Sequence, residues 1–171
     1  GSAEPFKSTW LIADEAKKQG AVIMEHLEVK GFDIETGKIT AVKTADGPIS
    51  CNCAVNTAGA WSAQIGAMAG INVPVEAKLS HLFVTEALPH FLGPVLSTDL
   101  YGYFRQTLSG NVLIGYAAKS LDEFKYDIDK QALETAMNRA SIIIPKLRNA
   151  SIIRAFTGFT TWTPDSLPII G

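Results

Sequence analysis

Apolar residues recur at helical spacing over residues 6–19, and the stripe that they form, which includes Trp10 and Leu11, predicts an amphipathic helix. Two lysines close this stretch and Gly20 follows them. This is a typical helix end, because lysines favour the negative pole of the helix dipole and glycine terminates the last turn. The pattern then changes to short apolar runs separated by turn residues. Strands are predicted at residues 21–24, 27–34, 38–44 and 49–55.

Strand patterns dominate the second half of the chain. A short helix around Trp61 precedes them, and a longer helical pattern at 129–144 ends at Pro145, which lacks the amide hydrogen that a helix needs. The Leu-Ser-Gly-Asn sequence at 108–111 predicts a hairpin loop. Further strands are predicted at residues 75–86, 95–97, 101–107, 112–116 and 151–159. Because hairpins join the strands more often than helices do, the predicted class is α+β with a sizeable antiparallel sheet.

Composition excludes several kinds of function. Of the 171 residues, 47% are hydrophobic and 19% are charged, so we expect a packed core rather than disorder. The formal net charge is -2 and the lysines are scattered, which argues against nucleic acid as a partner. No apolar run is long enough to span a bilayer. We expect the full-length protein in the cytoplasm, either free or peripheral to the inner membrane.

Residue spacing alone offers little candidate chemistry. Cys51 and Cys53 have no further Cys or His nearby, so we expect ordinary thiols rather than metal ligands. The dispersed His26, His81 and His90 form no dyad and are expected to be structural or exposed. The sequence contains no Gly-x-Gly-x-x-Gly, no phosphate-binding glycine–lysine loop and no nucleophile elbow. These patterns leave the function unassigned.

Three segments carry motifs of a known family. The first, at 5–29, combines a helix with Gly-Ala-Val-Ile and a following valine. The second is Ala-Val-Asn-Thr-Ala-Gly-Ala-Trp-Ser at 54–62, with Gly-Ile-Asn-Val-Pro-Val at 70–75. The third is Gly-Phe-Thr-Thr-Trp-Thr-Pro-Asp-Ser-Leu-Pro-Ile-Ile-Gly at 158–171. In this order they resemble the D-amino-acid oxidase superfamily of FAD-dependent oxidoreductases, and most of all its glycine oxidase, sarcosine oxidase β-subunit and hydrogen cyanide synthase members.

The resemblance implies a domain organisation. Residues 1–73 correspond to a remnant of the FAD-binding domain, 74–150 to an antiparallel or mixed substrate-binding sheet with flanking helices, and 151–171 to a return strand and a loop towards the flavin. Such proteins are roughly twice this length and begin with a glycine-rich strand–loop–helix that holds the FAD pyrophosphate. With an opening Gly-Ser that resembles a tag remnant, the chain is expected to be an internal fragment, inactive alone and unable to retain FAD.

Contacts with FAD are implied by the same resemblance. The cofactor-binding residues would be Val29, Ala58, Gly59, Trp61 and Gly171. Val29 would contact the adenine through its main chain, and the residues at 58–61 would lie against the cofactor because small side chains allow close approach. The alternatives are a core strand valine and a tight turn needed only for folding. Asp165 is either close to the flavin or a turn former whose carboxylate accepts a nearby amide.

Candidate substrate residues lie on the strand predicted at 101–107. Tyr101, Tyr103 and Arg105 share one face, so phenol and guanidinium groups could converge on a carboxylate. The alternative is the polar outer face of an edge strand. Thr160 stands where amino-acid oxidases of this group often place a carboxylate-binding arginine, so either Arg105 or another residue takes that role, or the substrate lacks that carboxylate arrangement.

The implied activity of the full-length protein is oxidation of a C–N bond in a small amine, imino acid or amino acid, with FAD as hydride acceptor. Electrons would pass to oxygen, to a partner subunit or to another acceptor. The alternative is a non-catalytic, flavoprotein-like assembly module. Besides the small-molecule substrate, a second copy of the chain is an expected partner, through apolar surface that truncation exposes.

Overall fold

The computed structural model of the chain describes residues 3–98, 102–120 and 124–170, with only the backbone described for 117–120. The chain divides into two compact units, Gly1–Val73 and Pro74–Gly171. Two antiparallel sheets and helices make up the described ranges, so the fold class is α+β, as the patterns predict.

The first unit contains a small antiparallel meander with the order β1-β2-β3. Tight turns join its strands, because β1 ends at Glu35 and β2 begins at Lys38. The bounds are α1 Pro5–Lys18, β1 Val29–Glu35, β2 Lys38–Thr44, β3 Gly47–Ser50, a 3-10 turn at Gly59–Trp61 and α2 Ser62–Met68. The predicted first helix and second hairpin strand are confirmed, and Gly20 follows α1 with a φ of 95°, which glycine adopts without strain.

Two strand predictions in this unit are wrong. Residues 21–24 are not a strand, and the strand predicted at 49–55 ends at Ser50. Their apolar residues are exposed, as Val22 and Val55 show. A strand exists only where a neighbour completes its hydrogen-bond ladder, and none of the described strands pairs with residues 21–24 or 52–55. The apolar stripe predicted on the first helix is present on α1, but none of the residues of α1 is buried.

A five-stranded antiparallel sheet with the order β5-β6-β7-β4-β8 forms the second unit. Its longest strand, β4, pairs with both β7 and β8, so the return strand belongs to this sheet. The bounds are β4 Glu76–Ala87, β5 Leu96–Thr98, β6 Gly102–Gln106, β7 Asn111–Ser120, α3 Lys130–Ile143, a 3-10 turn at Pro145–Asn149 and β8 Ile152–Trp162. The predicted hairpin loop between β6 and β7 is confirmed.

One face of this sheet packs against α3 to form the core. Small side chains let the helix approach closely: its buried residues are Ala132, Ala136 and Ala140, spaced four apart on one side. Asp129 begins the helix, and its carboxylate accepts the amide hydrogen of Gln131 at 2.8 Å. The sheet residues of this core are Phe83, Phe104, Val112 and Ile114. The opposite face of the sheet is not covered by α3.

The buried amide of Gln106 anchors the loop between β4 and β5. Its Oε1 accepts the amide hydrogens of Phe91 and Leu92 at 2.9 and 3.0 Å. Its Nε2 donates to the carbonyl oxygens of Gly110 at 2.9 Å and Leu88 at 3.2 Å. One side chain thus hydrogen-bonds backbone groups from two loops, including the buried amide of Leu92.

Candidate functional site

Alternate residues of four strands form what we call the open face, the side of the sheet opposite α3. The register of the strands determines which residues lie side by side on this face. One such row consists of Tyr103 on β6, Gly115 on β7, Leu82 on β4 and Phe156 on β8. Side chains directly across an antiparallel pair lie on the same face. The described members of the open face that matter below are Lys78, Ser80, Leu82, Val84, Tyr103, Arg105, Leu113, Gly115, Arg154, Phe156, Gly158 and Thr160.

Tyr103 lies flat against the neighbouring strand. A Cβ added at Gly115 would collide with its ring atoms, so the ring occupies the space that a side chain on Gly115 would take. This packing covers part of the phenol, although Tyr103 remains 43% exposed, and the partial burial raises its pKa above the ordinary tyrosine value, because desolvation disfavours the phenolate. The hydroxyl therefore stays protonated at neutral pH and can donate a hydrogen bond to an anion.

Arg105 shares the open face with Tyr103, as the strand period predicts. It is only partly exposed and already interacts with another residue. The strand β6 is flanked by β5 and β7, so it is not the edge strand of the alternative interpretation. Phe104 and Gln106, which alternate with Tyr103 and Arg105, are buried in the core. The strand thus presents solvent-accessible polar groups on one face only, since the amide of Gln106 is buried on the other.

Thr160 belongs to a hydrogen-bonded group at the other end of the open face. Its Oγ1 lies 3.1 Å from Ser80 Oγ and donates to the carbonyl oxygen of Lys78 at 3.2 Å. It also accepts the indole hydrogen of Trp162 at 3.2 Å. Lys78 Nζ is 4.2 Å from the centre of the Trp162 ring, a cation–π distance.

The open face does not bring Arg105 and Thr160 together. Arg105 aligns with Leu113, Val84 and Arg154, which is six residues before Thr160 on β8. Three strand spacings and six residues of rise place their Cα atoms roughly 25 Å apart. One small carboxylate cannot contact both residues, so the predicted substrate residues form two separate groups.

In the first unit, Val29 opens β1 opposite Thr44 and lines an apolar groove of about 360 Å³. The remaining lining residues are Val22, Met24, Leu27, Val42, Thr44 and Ile49. Val29 is half-buried, so it is not the fully buried core valine of the simpler interpretation. A groove of this size and lining can accept a flat apolar ring edge, with the main chain available for hydrogen bonds.

Asn56 shapes the turn that carries Ala58, Gly59 and Trp61. Its Oδ1 accepts the amide hydrogen of Ala58 at 3.2 Å, and its Nδ2 donates to the carbonyl oxygen of Ser62 at 2.9 Å. Gly59 has a φ of 55°, which favours glycine and leaves the backbone bare at this point. Trp61 remains 40% exposed.

Asp165 acts as a turn former: its Oδ1 accepts the amide hydrogen of Leu167 at 3.1 Å. Thr163 closes the same turn by donating to the carbonyl oxygen of Leu167 at 2.8 Å. Two of the predicted site residues, Tyr101 and Gly171, lie outside the described residues.

Other kinds of site are not found in the part of the chain that the structure describes. No group of three His, Cys, Asp or Glu side chains there could hold a metal ion. Both cysteines are free thiols, Cys51 half-buried and Cys53 exposed. Of the helices within the described ranges, none is long and apolar enough to cross a membrane.

Pattern reasoning missed several residues of these sites. Asn56 carried a local signal, because Asn two residues before a turn amide is a common turn former. Lys78 and Trp162 carried none, since they meet only through the register of β4 and β8. His81, expected to be structural or exposed, is buried, and its Nε2 accepts the amide hydrogen of Asp129 at 3.3 Å.

Comparison with known proteins decides the family. The family model for DAO, FAD dependent oxidoreductase, matches residues 1–171. The chain belongs to this family. Glycine oxidase of Pseudomonas putida is 30% identical over 152 residues, covering 87% of this chain and 40% of the relative. The hydrogen cyanide synthase subunit HcnC of Pseudomonas aeruginosa is 28% identical over 171 residues, covering 98% of this chain and 40% of the relative.

Among solved structures, L-proline dehydrogenase from P. horikoshii superposes with a TM-score of 0.90 at 34% identity, covering 99% of this chain and 46% of that chain. The resemblance to the D-amino-acid oxidase family is therefore confirmed. The chain spans about 40% of the length of the two curated relatives above.

The cofactor of this DAO family is FAD, and the described residues fit part of it. The Val29 groove suits a planar ring, and the turn at Gly59 exposes backbone without a side chain. The printed sequence contains no glycine-rich pyrophosphate loop. The residues of this DAO-family chain thus fit the ring systems of FAD rather than its pyrophosphate.

Proposed function

We propose that this chain is part of an FAD-dependent enzyme that oxidises a C–N bond of a small amine, imino acid or amino acid. When bound, FAD supplies the two-electron acceptor for the hydride. The observation that supports the proposal most directly is the open face, where cationic, hydroxyl and aromatic side chains stand on a rigid sheet. Relatives named glycine oxidase and L-proline dehydrogenase support the same substrate class.

Residues of the chain would bind and orient the substrate rather than exchange protons with it. Tyr103 donates a hydrogen bond from a phenol that is neutral at working pH, and its ring is held in place by Gly115. Arg105 contributes positive charge to the same end of the open face, where Leu82 and Phe156 align with Tyr103 and add apolar surface. Holding an amine in line is the main requirement of this reaction class, because the flavin carries the chemistry.

The two units take different roles in this proposal. Residues 1–73 contribute to the FAD-binding domain through Val29, Ala58, Gly59 and Trp61, and residues 74–150 provide the substrate sheet. Residues 151–171 return through β8 and lead to Gly171 near the flavin. The chain alone is inactive in this scheme, because it lacks a pyrophosphate loop.

The acceptor of the electrons would be oxygen or a partner subunit. The relative HcnC is a subunit by name, which supports a heteromeric enzyme. The exposed apolar residues of α1, which include Phe6, Trp10 and Ile12, also offer a surface on which two copies of the chain could associate.

A substrate screen tests the proposed function. The full-length protein is purified with FAD, made anaerobic and mixed with a panel of small amines, imino acids and amino acids. We expect at least one class to bleach the oxidised flavin absorbance in a single turnover. A panel in which no compound bleaches the flavin, although FAD is bound stoichiometrically, would favour the non-catalytic assembly module.

A further inference from the structure

Lys78, Thr160 and Trp162 form one linked group at the end of β4 and β8. Lys78 and Thr160 are directly opposed in the register, and Trp162 follows two residues later on the same face. Each is joined to the others by a described contact, with the ammonium over the indole and the indole hydrogen on the Thr160 hydroxyl. The arrangement fixes a cation on the open face.

The hydroxyl of Thr160 has no capacity left for a ligand. A hydroxyl has one hydrogen to donate and two lone pairs to accept with. Its hydrogen goes to the Lys78 carbonyl oxygen at 3.2 Å, and its lone pairs take the indole hydrogen of Trp162 at 3.2 Å and the hydroxyl of Ser80 at 3.1 Å. Thr160 therefore orients the indole ring and does not itself contact a substrate.

Among the described residues, in contrast, no hydrogen-bond acceptor contacts the ammonium of Lys78. No ion pair among the described residues includes Lys78, and the electron-rich ring face of Trp162 supplies no lone pair to saturate its donors. Glu76, two residues earlier on β4, already has an interaction of its own. Beside this group, the site where a side chain on Gly158 would begin has no other atom within 4 Å, which leaves room for a small ligand.

We propose that Lys78 is the cation that binds the carboxylate of the substrate, with Thr160 as a positioning residue acting through Trp162. The inference rests on the proposed function and narrows it to amino acids or imino acids, since a simple amine would leave Lys78 without an anion. With Lys78 in this role, the carboxylate is not bound at the Tyr103 and Arg105 end of the open face, and Arg105 is the competing cation. It already has an interaction partner, and it lies roughly 25 Å from Thr160, so one substrate cannot reach both.

The test compares matched substrates in the FAD-loaded full-length enzyme. Each amino or imino acid that bleaches the flavin is paired with its own carboxamide, which keeps the amine but lacks the negative charge. Lys78→Met removes the charge and keeps an apolar stem over the indole. We expect it to raise KM for the acid by about ten- to a hundredfold, with kcat and the KM of the carboxamide nearly unchanged.

Four further variants assign the effect. Lys78→Arg should recover most of the affinity for the acid. Thr160→Val should raise KM for the acid by a smaller factor, and Thr160→Ser should restore it, because serine keeps the hydroxyl. Lys146→Ala is the matched control: Lys146 also stacks on an aromatic ring, 4.9 Å from Phe91, but lies off the open face. It should leave the kinetics unchanged.

The outcomes separate this inference from the proposed function. An enzyme that oxidises nothing in the panel overturns both. An enzyme that oxidises the acids, with Lys78→Met and Lys146→Ala indistinguishable, overturns only the role of Lys78. The same holds if Arg105→Ala causes the acid-specific loss in its place, or if the wild type prefers amines without a carboxylate.

Discussion

The ring of Tyr103 lies on the backbone of Gly115, in the place where any other residue at 115 would project its own side chain. Because the two residues are opposed across β6 and β7, the packing depends on register and not on sequence proximity. The contact contributes to the partial burial of the phenol, and that burial raises its pKa.

Replacing Gly115 with alanine should force the Tyr103 ring off the sheet. We expect the pKa of that phenol to fall towards the ordinary tyrosine value and the free energy of unfolding to drop by about 1–2 kcal/mol, the cost of overpacking. Ultraviolet titration of the tyrosines and urea unfolding measure the two effects. Gly158→Ala is the control, since no other atom lies within 4 Å of its Cβ position. Equal titration curves for all three proteins would contradict the packing.

Tyr103 should also make stability fall at alkaline pH. With its pKa raised in the folded state, its contribution is complete below the unfolded value of about 10 and is lost as pH rises from there through the folded pKa. Tyr103→Phe cannot ionise, so it should lose less stability than the wild type between about pH 9 and 11. Urea unfolding of both proteins at about pH 9 and at about pH 11 measures this loss of stability. If both proteins lose the same amount of stability as the pH rises, the prediction that the pKa of Tyr103 is raised in the folded state is wrong.

Gln106→Leu should destabilise the second unit by about 2–4 kcal/mol, because it leaves the Phe91 and Leu92 amide groups of one loop without this acceptor and removes one donor from the Gly110 carbonyl oxygen of the other. Chemical denaturation of the chain is the measurement. Gln131→Leu provides a control with the same chemical change at an exposed helix position, and we expect an effect within about 0.5 kcal/mol. If both variants unfold at the same denaturant concentration, the Gln106 network contributes nothing net.

The isolated chain should not retain stoichiometric FAD. The residues of the chain fit only the ring systems of FAD. The sequence contains no glycine-rich loop that would bind the charged pyrophosphate. Incubation with excess FAD, desalting and visible absorbance give the ratio of flavin to protein. The full-length protein, treated identically, is the positive control. A ratio near one for the chain alone would show that its own residues hold the phosphates.

Local patterns predicted most elements because the period of apolar residues and the turn residues act within a few positions. The helix that became α3, the strand that became β2 and the loop at 108–111 are of this kind. The same patterns failed at residues 21–24, where an apolar run finds no partner strand among the described residues. A strand forms only when a second segment pairs with it, and the local sequence pattern carries no information about that second segment.

By itself, the sequence determined the fold class, the family motifs and the shared face of Tyr103 and Arg105, since each depends on neighbouring positions or on a repeating period. Tertiary structure alone decided that Thr160 faces Lys78, that Trp162 holds the ammonium, and that Arg105 stands far from both. Lys78 and Thr160 are 82 residues apart in the chain, and only the register of β4 and β8 brings them into contact.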